Sequence, residues 1–341
     1  MNLAELNAIA RKMVAPGKGI LAADESTGTI QKRFDAIGVT NTEDNRRDYR
    51  EMLFRTDKTM KEHISGVILF DETIRQKAKD GATLVSLIEA AGSVPGIKVD
   101  QGAKKLAGNR NETITEGLDG LRERFVDYHK LGARFAKWRG VYEIADGKPS
   151  HNAIHANAQA LARYAALAQE NGIVPIVEPE LLMDGSHTID QCEAVTEWIL
   201  KEVFQELYFA GVALEGIVLK PNMVVPGKKC AKQNSVQEVA ERTVKVLKRC
   251  VPGAVPGIAF LSGGQSDEDA TAHLSAMNAI GGLPWPLTFS YGRALQAAPQ
   301  KAWSGKAENV AAGQAAFAHR ALMNSLASLG TWNKDAEKKA A

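Results

Sequence analysis

Cysteine is scarce. Only Cys192, Cys230 and Cys250 occur in 341 residues, and no two of them form a C-x-x-C pair. That excludes a disulfide framework and points to a reducing, cytoplasmic setting. Long apolar runs are missing too: none approaches the ~18 residues of a membrane helix, so no membrane partner is expected. Charge of one sign is not in excess, because 42 basic and 40 acidic residues leave a formal net charge of +2. This balance argues against nucleic acid or an anionic membrane as a partner. No Gly/Ser linker or low-complexity tract divides the chain, which reads as a single domain over 1–341. The opening residues space Leu3, Leu6, Ile9 and Met13 as one helical face but include Glu5, so they predict a helix over about 2–14, not a secretory signal. The closing "NKDAEKKAA" reads as a flexible C-terminal tail over about 331–341.

What the chain does contain is a recurring unit. Short apolar, β-rich runs occur at 20–23, 67–70, 97–99, 135–138, 173–177, 217–219, 258–261 and 287–289, starting 29 to 47 residues apart. Each interval has room for a helix and two loops. Leu118, Leu121, Phe125, Tyr128 and Leu131 are spaced helically and stop at Gly132, and the stretch from Ile189 to Phe209 stops before Gly211. Ser235 with Glu238, and Ser266 with Asp269, read as capping boxes. Eight strand–helix alternations predict an α/β fold of the (β/α)8 TIM-barrel type. An open doubly wound sheet is the competitor, but no G-x-G-x-x-G follows the first run.

The residues that end these runs carry the chemistry. The first gives way to Asp24, the second to Asp71-Glu72, the third to Lys98 and the fourth to Lys137; the fifth leads into Glu178-Pro179-Glu180 and the sixth into Lys220. In a barrel all of these fall on one rim, where active sites are built. A lysine amine at its ordinary pKa of ~10.4 is a poor nucleophile; burial and a neighbouring cation free its lone pair. Lys220 is the candidate amine, to condense with a ketone into an iminium, an electron sink for breaking the adjacent C–C bond. Lys137 is the candidate cation beside it. Glu178, on the same strand face as Glu180, is a candidate for moving protons.

The last two runs end in "LSGGQ" and "SYGR", where Ser262, Gly263, Gly264, Ser290 and Gly292 let backbone N–H groups approach an anion and Arg293 adds a guanidinium fork. The turn "DESTGTIQKR" offers Ser26, Thr29, Lys32 and Arg33 to a second anion. Together they suit a substrate that carries a phosphate and a second anionic group. Neither metal nor organic cofactor is expected: His151 and His155 in "HNAIH" have zinc-helix spacing, but Asn152 replaces the metalloprotease glutamate and no third ligand clusters nearby in sequence.

With "LAADESTGTI", "GIKVDQG", "FAKWR", "IVPIVEPE", "LKPNMV", "LSGGQS" and "LTFSYGRALQ" in this order, the chain resembles the class I fructose-1,6-bisphosphate aldolases over residues 11–330. The resemblance implies reversible cleavage of fructose 1,6-bisphosphate to dihydroxyacetone phosphate and glyceraldehyde 3-phosphate, in glycolysis and gluconeogenesis. It implies Lys220 as the Schiff-base lysine, Glu178 as acid/base with Glu180 beside it, Lys137 as the assisting lysine and Asp24 as the aspartate of C–C cleavage. It also places Lys98, Arg33, Arg46 and Arg139 around the substrate and its phosphates. Ser262, Gly263, Ser290, Gly292 and Arg293 fall at the ketose 1-phosphate, and Thr29 stands where many relatives have serine. A homotetramer is implied as well. The chain departs from the family at its end: many relatives finish on a tyrosine that assists proton exchange on the enamine, whereas the last aromatic here is Trp332. The departure touches that proton transfer and the preference for a bisphosphate over a monophosphate. A Schiff-base aldolase for another sugar phosphate, or an added scaffold role, is the alternative.

Overall fold

The apolar runs become strands because β-branched and aromatic residues alternate with small ones that fit a pleated, two-sided surface. The structure, a computed structural model, describes residues 1–109 and 111–339. In chain order the strands are β1 (Gly19–Ala23), β2 (Ile64–Leu69), β3 (Val94–Lys98), β4 (Ala103–Lys105), β5 (Thr113–Thr115), β6 (Phe135–Tyr142), β7 (Val174–Leu181), β8 (Val218–Leu219), β9 (Ile258–Phe260) and β10 (Leu287–Tyr291). β4 and β5 form a separate antiparallel ribbon, while the other eight close into a parallel barrel in the order β1–β2–β3–β6–β7–β8–β9–β10. All eight expected strands are present, so the fold is the TIM barrel.

Two strands run further than their apolar pattern. β6 continues to Tyr142 and β7 to Leu181, four residues past the ends expected at 138 and 177. The reason is that their inward positions turn polar while their outward ones stay apolar. Phe135, Lys137, Arg139 and Val141 alternate with Ala136, Trp138 and Tyr142, which pack outward into the main core. On β7, Val174, Ile176, Glu178 and Glu180 face inward, and the register sets Arg139 opposite Glu178 and Val141 opposite Glu180. The barrel lumen therefore changes from apolar to charged along its axis.

Its apolar end is filled from two directions. The helix Leu3–Met13, close to the expected 2–14 and capped by Asn2, buries Leu6, Ala10 and Met13 against Ile20, Ile68, Val94, Phe135, Val174, Ile176 and Val218. Gly96 on β3 leaves space for the Phe135 ring, with which any Cβ there would collide. Burying a side chain such as Leu6 fully contributes about 1.5–3 kcal/mol, and the floor contains several of them.

Between strands the helices His151–Glu170, Ile189–Phe209, Val236–Cys250 and Asp267–Ile280 cover the barrel. Each starts on a hydroxyl that accepts from the backbone three residues on: Ser150, Thr188, Ser235 and Ser266. At Ser235 only this half of the expected box forms, because the Glu238 carboxylate turns to Asn234 and Arg242; the complete reciprocal box is at Thr188 and Gln191. The segment expected as a tail carries a further helix, Lys334–Lys339, and its Glu337 accepts from Arg320 and from the Trp332 indole. Residues 340 and 341, within the expected tail, lie outside the described residues. Among the described residues, no helix is long and apolar enough to cross a membrane.

Candidate active site

The inward positions at the charged end of the barrel border a cavity of about 420 Å³. Asp24 follows β1, Lys98 ends β3, Lys137 and Arg139 come from β6, Glu178 and Glu180 from β7, and Lys220 follows β8; all seven line it. Lys220 does not reach for solvent, since only 5% of its side chain is exposed. Its backbone N–H donates to the Val177 carbonyl, extending the pairing beyond β8. Asn222, two residues on, accepts from the Leu181 N–H and donates to Thr196, so the "KPN" turn fastens the ends of β7 and β8 together.

Four charged groups form a chain of close contacts. Lys220 Nζ is 3.0 Å from Glu178 Oε1; Glu178 Oε2 is 3.5 Å from Lys137 Nζ; and Lys137 Nζ is 2.8 Å from Asp24 Oδ2. Asp100 Oδ2 approaches Lys137 to 4.0 Å, while its Oδ1 is 3.0 Å from Lys98 Nζ. Burial opposes the charge on Lys137, but Asp24, Glu178 and Asp100 outweigh it and hold the ammonium well above its ordinary range. Burial alone would push Asp24 up; Lys137 and Lys220 overcome this and hold it down at about 2. Arg139 is likewise opposed by burial and kept charged by Glu180, its bonded partner. The surroundings of Lys220 are thus dry, as the sequence suggested, but carboxylates stand beside the expected cation.

Two adjacent turns close one side of the mouth. After β9, Ser262 and Gly263 line the cavity, and Gly263 takes a left-handed φ of +52°. Near the end of β10, Ser290 presents a buried hydroxyl with no hydrogen-bond partner among the described residues. Gly292 then opens the helix Arg293–Trp303 without a side-chain cap, leaving its first N–H groups free. Arg293 donates to the Gly263 and Gln265 carbonyls, which ties the two turns together. Beside them, in the turn and helix that follow β1, the strand paired with β10, Ser26, Thr29 and Arg33 line the same cavity.

Three expected site residues are placed elsewhere. Lys32 is exposed and does not line the cavity. Arg46 does not line the cavity: its guanidinium is committed to both oxygens of Glu72 and to Asn41. Gly264 turns away and donates its N–H to Met183 Sδ. Conversely, sequence reasoning passed over Asp100 and Glu25, although "GIKVDQG" puts Asp100 two residues from Lys98 and "AADES" puts Glu25 next to Asp24. Glu25 accepts from Arg33 and from Gln296 and lies 3.7 Å from the buried Arg50, a layer of ion pairs beneath the rim.

A parallel barrel whose mouth gathers buried lysines, carboxylates and anion-binding turns is an enzyme of the sugar-phosphate type. The family model described as fructose-bisphosphate aldolase class-I matches residues 5–341. The chain is 56% identical over 333 residues to the Xanthomonas campestris protein named "Probable fructose-bisphosphate aldolase class 1", covering 97% of this chain and 99% of that one. It is 54% identical over 334 residues to "Fructose-bisphosphate aldolase 4, cytosolic" of Arabidopsis thaliana, covering 98% and 85%. A solved fructose-bisphosphate aldolase from Plasmodium falciparum, in complex with TRAP and a small-molecule inhibitor, superimposes with a TM-score of 0.94 at 50% identity over 97% of this chain and 96% of that one. The chain belongs to the class-I fructose-bisphosphate aldolase family, and its reaction is the reversible aldol cleavage of fructose 1,6-bisphosphate.

Proposed function

We propose that Lys220 is the nucleophile and that the cleavage runs through its Schiff base with the C2 ketone of the substrate. The observation that carries this reading is the 3.0 Å contact between the buried Lys220 Nζ and Glu178 Oε1. Glu178 takes a proton from the amine, which then attacks the ketone, and returns it to the carbinolamine hydroxyl that leaves as water. The resulting iminium accepts the electrons of the C3–C4 bond as the C4 hydroxyl loses its proton toward the Asp24 carboxylate. Glyceraldehyde 3-phosphate departs, and the enamine is protonated and hydrolysed to dihydroxyacetone phosphate. Lys137, held charged, stabilises negative charge at Asp24 and Glu178 throughout. Glu180 fixes Arg139. Ser262, Gly263, Ser290, Gly292 and Arg293 receive the phosphate nearest C1, while Ser26, Thr29, Arg33, Lys98 and Arg139 face the other end of the sugar.

Borohydride reduction with dihydroxyacetone phosphate tests the assignment: peptide mass spectrometry should find the adduct on Lys220. An undiminished adduct in Lys220→Ala would overturn it. A substrate panel separates this reading from a Schiff-base aldolase for another sugar phosphate, which would show no gain from the second phosphate.

The cytosolic Arabidopsis relative supports action in the cytoplasm, within glycolysis and gluconeogenesis. A homotetramer is supported by the adjacent aromatic pair Tyr208 and Phe209, exposed on the surface. Sedimentation should then give about four times 36.8 kDa. An added scaffold role is supported by the Plasmodium relative, solved in complex with TRAP; pull-down with Lys220→Ala would show it independently of catalysis.

A further inference from the structure

His155, set aside in sequence for want of a third ligand, gains two from the neighbouring helix. Glu202 and Glu206 are one turn apart on Ile189–Phe209 and share the face that packs on His151–Glu170. His155 Nδ1 is 2.7 Å from Glu202 Oε1 and 3.6 Å from Glu206 Oε1, and the three donor atoms lie within 4.8 Å of one another. In a tetrahedral zinc site with bonds of about 2.0–2.2 Å, donors are about 3.3–3.6 Å apart, so small side-chain adjustments bring these three around one ion.

The charge balance of the site supports an ion. The Glu202 and Glu206 side chains are only 16% and 12% exposed. Several other covered carboxylates have a lysine or arginine within ion-pair distance: Glu25 has Arg33, Glu51 has Arg55, Glu193 has Arg242 and Glu337 has Arg320. Among the described residues, Glu202 and Glu206 have His155 alone. Two partly covered carboxylates side by side favour a compact positive charge between them, and the imidazole is a ligand for one. His155 is 48% exposed, which leaves an entry path and room for water in the fourth position.

We propose that His155, Glu202 and Glu206 form a binding site for a divalent transition-metal ion, best matched by Zn2+. One imidazole nitrogen and two carboxylate oxygens suit zinc better than the all-oxygen shells of Ca2+ and Mg2+. The ion joins the helix that follows β6 to the helix that follows β7, the strands that carry Lys137 and Glu178. It is a clamp outside the cavity, separate from the chemistry there.

Equilibrium dialysis of the full chain against Zn2+ should show saturable binding of one ion per chain, weakened on the order of tenfold or more in Glu206→Gln and in His155→Ala. Zinc in large excess over its dissociation constant should raise the thermal midpoint of the parent by a few degrees and leave that of both variants unmoved. Zinc-free midpoints of the variants establish that they fold; should one fail to, Glu202→Gln replaces it. Absence of saturable binding to the parent, or binding equally tight in the variants, overturns the proposal.

Discussion

Lys137 touches Asp24 and Glu178, two groups of the proposed mechanism, and its charge is the condition for both. Asp100 is the third carboxylate around it, with one oxygen on Lys98 and the other left without a hydrogen bond. Asp100→Asn keeps the volume and removes the charge, so Lys137 gives up its proton at lower pH than in the parent. Any basic limb of the pH–rate profile set by Lys137 should move to lower pH, with turnover falling most at the alkaline end. Loss of one partner from a largely buried pair should also cost roughly 1–3 kcal/mol of stability. An unchanged profile would make Asp100 a packing residue only. Part of this was legible in sequence: Lys137, Glu178 and Lys220 each follow an apolar run, and only a barrel brings them together. Asp100 was not, because a polar residue beyond a strand end looks like loop until the partner strand is placed. Arg46 misleads for the opposite reason, as its pairing with Glu72, 26 residues away, is invisible in the chain.

Elements separate stability from chemistry along the barrel axis. Leu6, 1% exposed, belongs to the floor with Phe135, the inward position of β6 below the polar layer that begins at Lys137. Leu6→Ala should cost about 2–4 kcal/mol in urea unfolding with turnover of the folded enzyme retained; a drop in turnover without destabilisation would contradict this division. The elements themselves were largely legible. Apolar runs and turn residues marked all eight strands, but not the lengths of β6 and β7, since alternating charge on a lumen-facing strand imitates a strand that has stopped. The clamp between His151–Glu170 and Ile189–Phe209 was hidden similarly, because its donors are 47 and 51 residues apart and no local spacing encodes a helix–helix contact.

For the molecule as a whole, the pH range of stability follows from groups that burial keeps in one protonation state. Burial of His273, bonded to Gln265, lowers its pKa from 6.5 to about 4. Between these values the unfolded chain binds a proton that the folded chain refuses, so this contribution is complete above pH 6.5 and fades as pH falls toward 4. Near pH 5 the loss is about 2 kcal/mol relative to pH 7. Asp24, with its pKa lowered from 3.8 to about 2, has linkage of the same sign in a more acidic window: its stabilisation is present above pH 3.8 and is lost only below that, down to about 2. Denaturant midpoints at pH 7 and pH 5 should therefore differ less in His273→Gln than in the parent; equal differences would exclude His273 as the cause.

The Leu3–Met13 helix and the Phe135 ring make the barrel a cul-de-sac. Substrate comes in and both three-carbon fragments go out by the same doorway, so one must depart past the place still held by the other. The covalent tether to Lys220 in the proposed mechanism solves that traffic problem: the fragment bound to the wall waits inside while the free aldehyde leaves.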